Sequence, residues 1–271
     1  MTGALVLGGG GIAGIAWEVG ILLGIEEAAP DVAATILAPT NTFIGTSAGA
    51  VVASQVAGGL PVRDLYDLQL FDDPDVGVSF DIAELTQVAQ IALNGVTSME
   101  EAKRRLTALA RSRFGEVDRS AVIAARLPLK AWPEAVLRIT AVDERSGALT
   151  VFDAASGADL IDAVAASCAV PIVWPSVEIQ GRTYIDGGVL SSTHADLAEG
   201  CDPVLVIAPN SSVPSSEAAK LTRMHSIRAD AASVAAFGPN PLDPAVWRAS
   251  AEAGRNQGHR EAATVAALWA P

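Results

Sequence analysis

The sequence predicts an α/β protein, with a mostly parallel sheet covered by helices on both faces. Short apolar runs of strand length alternate with segments at helical spacing along the chain, which is how β-α units repeat. Half the residues are hydrophobic while aromatics make up only 5%, so the core is built of Ala, Val, Leu and Ile, side chains that pack helices closely on a buried sheet. The chain of 271 residues is long enough for one large α/β domain with a substantial core. No internal repeat or low-complexity linker divides it, so a single domain over residues 1–271 is expected.

ALVLG, residues 4–8, is the first strand, and residues 15–27 form the helix after it, stopped near Pro30. TNTFIG, residues 40–45, is the second strand; it runs through GTSAG into an apolar helix over 48–56 that ends at Gly58-Gly59. From 61 to about 133 the chain is richer in charge and its apolar residues fall at helical spacing. Within it Ser98-Met99-Glu100-Glu101 is a capping box opening a helix to about Phe114. The segment reads as a helical insertion able to lid an active site. LRITAVD (137–143) and ALTVFDA (148–154), joined by Glu144-Arg145-Ser146-Gly147, form a hairpin. Residues 159–170 are helical up to Pro171, and VEIQGRTYID (177–186) is a second hairpin turning at Gln180-Gly181. PVLVIAP (203–209) holds a short buried strand, and the rest from about Ser215 is mainly helix, broken at GPNPLDP (238–244).

Eighteen basic residues against 31 acidic ones give a formal charge of −13, which repels phosphate backbones. The densest basic run, Lys103-Arg104-Arg105, lies beside Glu100 and Glu101 and reads as a solvated helix face with local ion pairs. Nucleic acid is excluded as a partner, and anionic membranes are disfavoured. Residues 1–24 have no basic leader and are broken by glycines, and no charge-free apolar run is long enough to cross a bilayer. A soluble, cytoplasmic protein is expected. Cys168 and Cys201 make neither a disulfide framework nor a zinc site, Cys168 being expected as a small core residue. No metal and no cofactor is implied.

Three motifs carry chemistry. Gly9-x-Gly11-x-x-Gly14, between a strand and a helix, matches a dinucleotide fingerprint, and its N–H groups would equally suit an oxyanion hole. A dinucleotide fold also needs an acidic residue at the end of the second strand to hold the ribose. That strand ends instead in Gly45-Thr46-Ser47, and Asp31 precedes it. The second motif is Gly45-Thr46-Ser47-Ala48-Gly49 between a strand and an apolar helix. A nucleophile elbow needs glycines there because the turn is tight and lifts the serine oxygen clear of the sheet; the alternative is that Ser47 only caps the helix. The third is Tyr184-Ile185-Asp186-Gly187-Gly188 at the end of a strand, either a plain Asp-Gly turn or a carboxylate lining a crevice. A serine nucleophile needs a base. His225 and His259 fall in expected surface helices, so the choices are a triad through His194 or a dyad in which Asp186 takes the Ser47 proton directly. The dyad requires an ionised but poorly solvated carboxylate.

Together these residues resemble the patatin-like phospholipase family, whose members carry G-G-G-x-x-G, G-x-S-x-G and D-G-G or D-G-A in that order. Here the series is Gly9-Gly10-Gly11-Ile12-Ala13-Gly14, Gly45 to Gly49, and Asp186-Gly187-Gly188, with AASCAVPIVWPSVEIQGRTYIDGG matching the approach to the aspartate. The resemblance is close over 3–59 and 159–198. It implies a three-layer α/β/α fold and a serine acyl hydrolase acting on a lipid or acyl-ester substrate, with transient contact with lipid surfaces allowed. Ser47 would be the nucleophile and Asp186 the base; the N–H groups of Gly10 and Gly11 with a neighbour, Gly9, would form the oxyanion hole; and Gly45 and Gly49 would shape the elbow. A non-catalytic nucleotide- or acyl-binding module is the rival. Two positions depart from the family pattern. Ala13 stands where many relatives have Arg or Lys, which removes a positive charge beside the anion. Ser191-Ser192-Thr193-His194 replaces a common Asn.

Overall fold

The structure, a computed structural model, describes residues 2–70, 94–96, 98, 101, 105, 120, 123–124, 127–129, 131–171, 173–210 and 212–270. Most of the expected insertion, with its lid and nearly all of the helix from Ser98, lies outside the described residues. At the capping box the Glu101 N–H donates to Ser98 Oγ at 3.2 Å.

The strands are β1 (Ala4–Leu7), β2 (Thr42–Thr46), β3 (Val136–Asp143), β4 (Leu149–Phe152), β5 (Val177–Ile179), β6 (Arg182–Asp186), β7 (Val204–Ala208) and β8 (Met224–Arg228). They form one eight-stranded sheet in which hydrogen-bonded neighbours run β5-β6-β3-β2-β1-β7-β8 and β4 also pairs with β3. The run β3-β2-β1-β7-β8 is parallel throughout, whereas β4 and β6 pair antiparallel with β3, and β5 with β6. Alternation along the central strands divides the core. Leu5, Leu7, Phe43, Leu205 and Ile207 point into the larger cluster, while Ala4, Val6, Ile44, Val204 and Val206 point into a smaller one closed by Ala195 and Ala198.

The described helices are α1 (Gly11–Ala28), α2 (Pro30–Ile36), α3 (Ala48–Ala57), α4 (Val62–Leu68), α5 (Leu160–Ser167), α6 (Ser215–Ala218), α7 (Ala231–Phe237) and α8 (Trp247–Trp269). α1 is buried from Ala13 to Ile25, as a helix apolar all round must be. α1 stops at Ala28, near Pro30 as expected, and Pro30 itself occupies the first position of α2, where a missing N–H costs no hydrogen bond. One expectation needs correcting. The stretch after Ser215 is not mainly helix throughout, since Met224–Arg228 is strand β8, parallel to β7 from Val204↔Met224 to Ala208↔Arg228. His225 is therefore on an edge strand, where it pairs with Glu261 at 3.1 Å, while His259 lies on α8 and pairs with Glu27 at 2.9 Å.

Candidate active site

Strand geometry brings the candidate residues together. β2 pairs with β3 over Val136 to Thr140 and β4 pairs with it over Ile139 to Val142, so the overlap puts β2 and β4 on opposite edges. β6 pairs over Ala141 to Asp143, overlapping β4, and so shares the edge used by β2. β2 and β6 thus run head to head along one edge of β3. β2 ends with Thr46 opposite Thr140, and β6 ends with Asp186 opposite Ala141, so Ser47 and Asp186 leave their strands at the same place.

Ser47 forms the turn between β2 and α3 with φ 55° and ψ −120°, a left-handed conformation that non-glycine residues adopt only under constraint. Gly45 and Gly49 permit the turn. A Cβ on Gly45 would stand 2.5 Å from Ala50 Cα, and one on Gly49 would stand 2.1 Å from the Leu7 carbonyl oxygen. Ser47 occupies the cap position of α3, but its side chain makes no capping hydrogen bond. Its N–H donates to Ser167 Oγ at 2.8 Å, and its carbonyl accepts from Cys168 Sγ at 3.2 Å.

Asp186 is 4% exposed, and its Oδ1 accepts the Gly188 N–H at 2.7 Å. Gly187 lies so close to Thr140 that a Cβ there would be 2.4 Å from Thr140 Oγ1, and that hydroxyl is 2.7 Å from Thr46 Oγ1. His194 is buried with φ 47°, and its Nε2 is 3.0 Å from the Gly187 carbonyl. The imidazole with Nε2 protonated donates there and holds the backbone of the Asp186 turn. The segment is tied from below by Glu217, which accepts from Thr193 Oγ1 and from the Ala195 N–H, both at 2.7 Å.

The glycine loop lies against Ser47, since a Cβ on Gly9 would be 3.5 Å from Ser47 Cβ. Gly9 differs from Gly10 and Gly11, because its N–H donates to the Ser192 carbonyl at 2.9 Å and anchors the loop. At the other end the Ala13 N–H donates to Pro241 O at 2.9 Å, so the loop over residues 238–244 covers the first turn of α1. Among the described residues the amides of Gly10 and Gly11 make no hydrogen bond. Behind the loop, α1 buries Glu18 completely, and burial pushes its carboxyl well above the usual carboxylate range, the Gly8 amide offsetting this only in part. The three motifs are legible in the sequence, whereas the roles of Ser167, Thr140, Ser192, Glu217 and Glu18 are not. The bond from Ser47 to Ser167 spans 120 residues, and no local pattern marks such a pairing.

A mostly parallel α/β sheet with its distinctive residues at the carboxyl ends of strands belongs to the class of folds that hold ligands in that crevice. Within that class, the chain belongs to the patatin-like phospholipase family, whose family model matches residues 5–199. Family members are lipid hydrolases. The crystal structure of VipD from Legionella pneumophila is similar over 97% of this chain and 67% of its own, at 15% identity and a TM-score of 0.50. The type III effector protein ExoU is similar over 96% of this chain and 53% of its own, at 18% identity and a TM-score of 0.42. The likeness to VipD is one of fold. No curated protein matches the sequence. Among the described residues no helix is long and apolar enough to cross a membrane.

Proposed function

We propose that the protein is a serine acyl hydrolase that cleaves fatty-acyl carboxylic esters through an acyl-serine intermediate, with Ser47 as nucleophile and Asp186 as base. The observation that carries this reading is the head-to-head meeting of β2 and β6, which delivers a strained serine and a buried aspartate to one point beside a loop with open amides. In the first half-reaction Ser47 Oγ bonds to the ester carbonyl carbon while its proton passes to the Asp186 carboxylate. The carbonyl oxygen becomes an oxyanion facing the Gly10 and Gly11 N–H groups, dipoles already in place when charge develops. The C–O bond to the alcohol then breaks, and the alcohol leaves with the proton from Asp186. In the second half a water gives its proton to Asp186 and attacks the acyl-serine carbonyl; as the acyl–Oγ bond breaks, Asp186 returns that proton to Ser47 Oγ, releasing the fatty acid and restoring both residues.

The dyad is favoured over a triad by His194, whose Nε2 is engaged with Gly187 O. The nucleotide-binding rival is weakened because two amides at the ends of the loop, Gly9 and Ala13, are already bonded to backbone carbonyls. Ala13 is also fully buried, so this loop offers no cation to a phospholipid head group. Ser47→Ala and Asp186→Asn are each expected to lower p-nitrophenyl ester hydrolysis at least about 10³-fold and to abolish or greatly slow fluorophosphonate labelling. Full activity in folded Ser47→Ala would sink the assignment, and nucleotide co-purifying with the protein in place of an acyl adduct on Ser47 would favour the rival.

A further inference from the structure

Three consecutive residues at the carboxyl end of α5 touch both partners of the proposed dyad. Ser167 Oγ accepts the Ser47 N–H at 2.8 Å. Cys168 Sγ donates to the Ser47 carbonyl at 3.2 Å. The Ala169 carbonyl accepts the Asp186 N–H at 3.0 Å. We infer that Ser167-Cys168-Ala169 is a positioning device: Ser167 and Cys168 hold the nucleophile's peptide in its left-handed conformation, and Ala169 sets the aspartate against it from the same support. This rests on the reading of Ser47 and Asp186 as the catalytic pair.

The conformation of Ser47 is what needs such support. With φ 55° and ψ −120° it stands outside the regions a serine prefers, and a residue stays there only where its surroundings over-determine it. The first N–H groups of a helix have no partner within it, so the Ser47 and α3 amides depend on groups from elsewhere. Ser167 supplies one to Ser47 itself. The Ser47 carbonyl accepts twice, from the Ala50 N–H at 2.9 Å within the α3 turn and from Cys168. Both planes of the strained residue are therefore clamped by neighbouring side chains on one rigid element. That element does not yield easily, since Ala163, Val164, Ala165, Ala166, Ser167 and Ala169 are all fully buried. Its end is closed by the Cys168 N–H to Val164 O at 3.0 Å. Cys168 thus has a use beyond filling space as a small core residue. A shift of α5 would move nucleophile and base together, whereas loss of one side chain would free Ser47 alone.

The test uses Ser167→Ala, Cys168→Ala and Cys168→Ser in the full chain, with p-nitrophenyl butyrate for kcat and KM and a fluorophosphonate for the rate of Ser47 labelling. Labelling to completion counts competent sites, and a melting curve reports folding. Ser167→Ala is expected to lower kcat per labelled site and the labelling rate together by about 10- to 100-fold, because small misplacements of a reacting atom have effects of that size. KM should stay within about twofold, since Ser167 contacts the peptide of the nucleophile and is given no role in holding the ester. Cys168→Ala should lose about threefold, as a weak S–H donor implies, and Cys168→Ser should restore part of that because a hydroxyl donates to the same carbonyl. A merely structural role would lower the melting temperature and leave kcat per labelled site unchanged, which would overturn the inference, as would equal losses in Cys168→Ala and Cys168→Ser. If Ser167→Ala does not fold, the Cys168 pair decides the matter. A wild-type protein that neither hydrolyses the ester nor labels would instead remove the proposed function, and this inference with it.

Discussion

Glu18 is a carboxylic acid sealed inside a helix packed on every side. It is fully buried, neither of its oxygens is hydrogen-bonded among the described residues, and the Gly8 N–H nearest to it is already donated to Ile207 O at 2.9 Å. Burial raises its pKa well above 4.5, so the folded protein keeps a proton that the unfolded chain releases. The sign follows from linkage. Stability from this proton is fully present below the unfolded pKa and is lost as pH rises toward the folded one, by up to about 1.4 kcal/mol per pH unit. Glu18→Gln, which cannot ionise, should therefore gain stability relative to wild type as pH is raised from about 5 to about 8. Urea denaturation of both proteins across that range checks this, and a pH-independent difference between them would rule it out. Residues of this kind are hard to see in a sequence. Ser47, Asp186 and the glycines stand in short motifs whose spacing encodes a turn, but Glu18 looks like any helix residue until its neighbours are known. Ser192, which binds the Gly9 N–H, and Ser167 are equally silent, because each acts on a partner far away along the chain.

Among the described elements, α1 and α8 make the most extensive contact. Gly20 and Gly24 on one helix face Gly254 and Gly258 on the other, and each Cβ added there would meet backbone: 2.3 Å to Ala251 O, 2.2 Å to Arg255 O, 2.3 Å to Trp17 O and 2.3 Å to Ile21 O respectively. At its end the contact is fastened by Glu27, which binds Arg255, Arg63 and His259 and whose pKa is lowered to about 2, chiefly by Arg255. Because backbone cannot rotate aside as a side chain can, Gly254→Ala should force the helices apart and cost about 3 kcal/mol. That corresponds to a drop of roughly 6–12 °C in melting temperature for a chain of this size. An unchanged melting temperature would show that the helices can separate freely. The elements themselves were legible where a strong period or a turn signal marked them. β1, β2, β7 and the two hairpins fall where their apolar runs and turn residues predict. β8 is not legible because MHSIR is a half-buried edge strand of mixed polarity, and α2 is not because a proline that starts a helix reads equally well as one that stops it.

The whole molecule combines the proposed acyl-ester site with a formal charge of −13. The charge would not alter the chemistry proposed at Ser47, which depends on groups a few ångströms away. It does govern how the protein meets a surface that presents the substrate. Approach to an anionic bilayer brings like charges together over a distance set by the Debye length, about 10 Å at 0.1 M salt. Ala13 adds to the effect locally, because this position supplies no cation at the loop that would face a head group. Hydrolysis of one ester should accordingly be faster when it is carried in zwitterionic or neutral micelles than in vesicles rich in anionic lipid, and the gap should narrow as salt is raised. Initial rates at matched ester surface density, with salt varied from about 0.02 to about 0.5 M, measure both effects. Faster turnover on the anionic vesicles at low salt would mean that a local basic surface overrides the net charge. A gap that salt does not narrow would place the preference in the fit of the ester to the site and not in the field of the molecule.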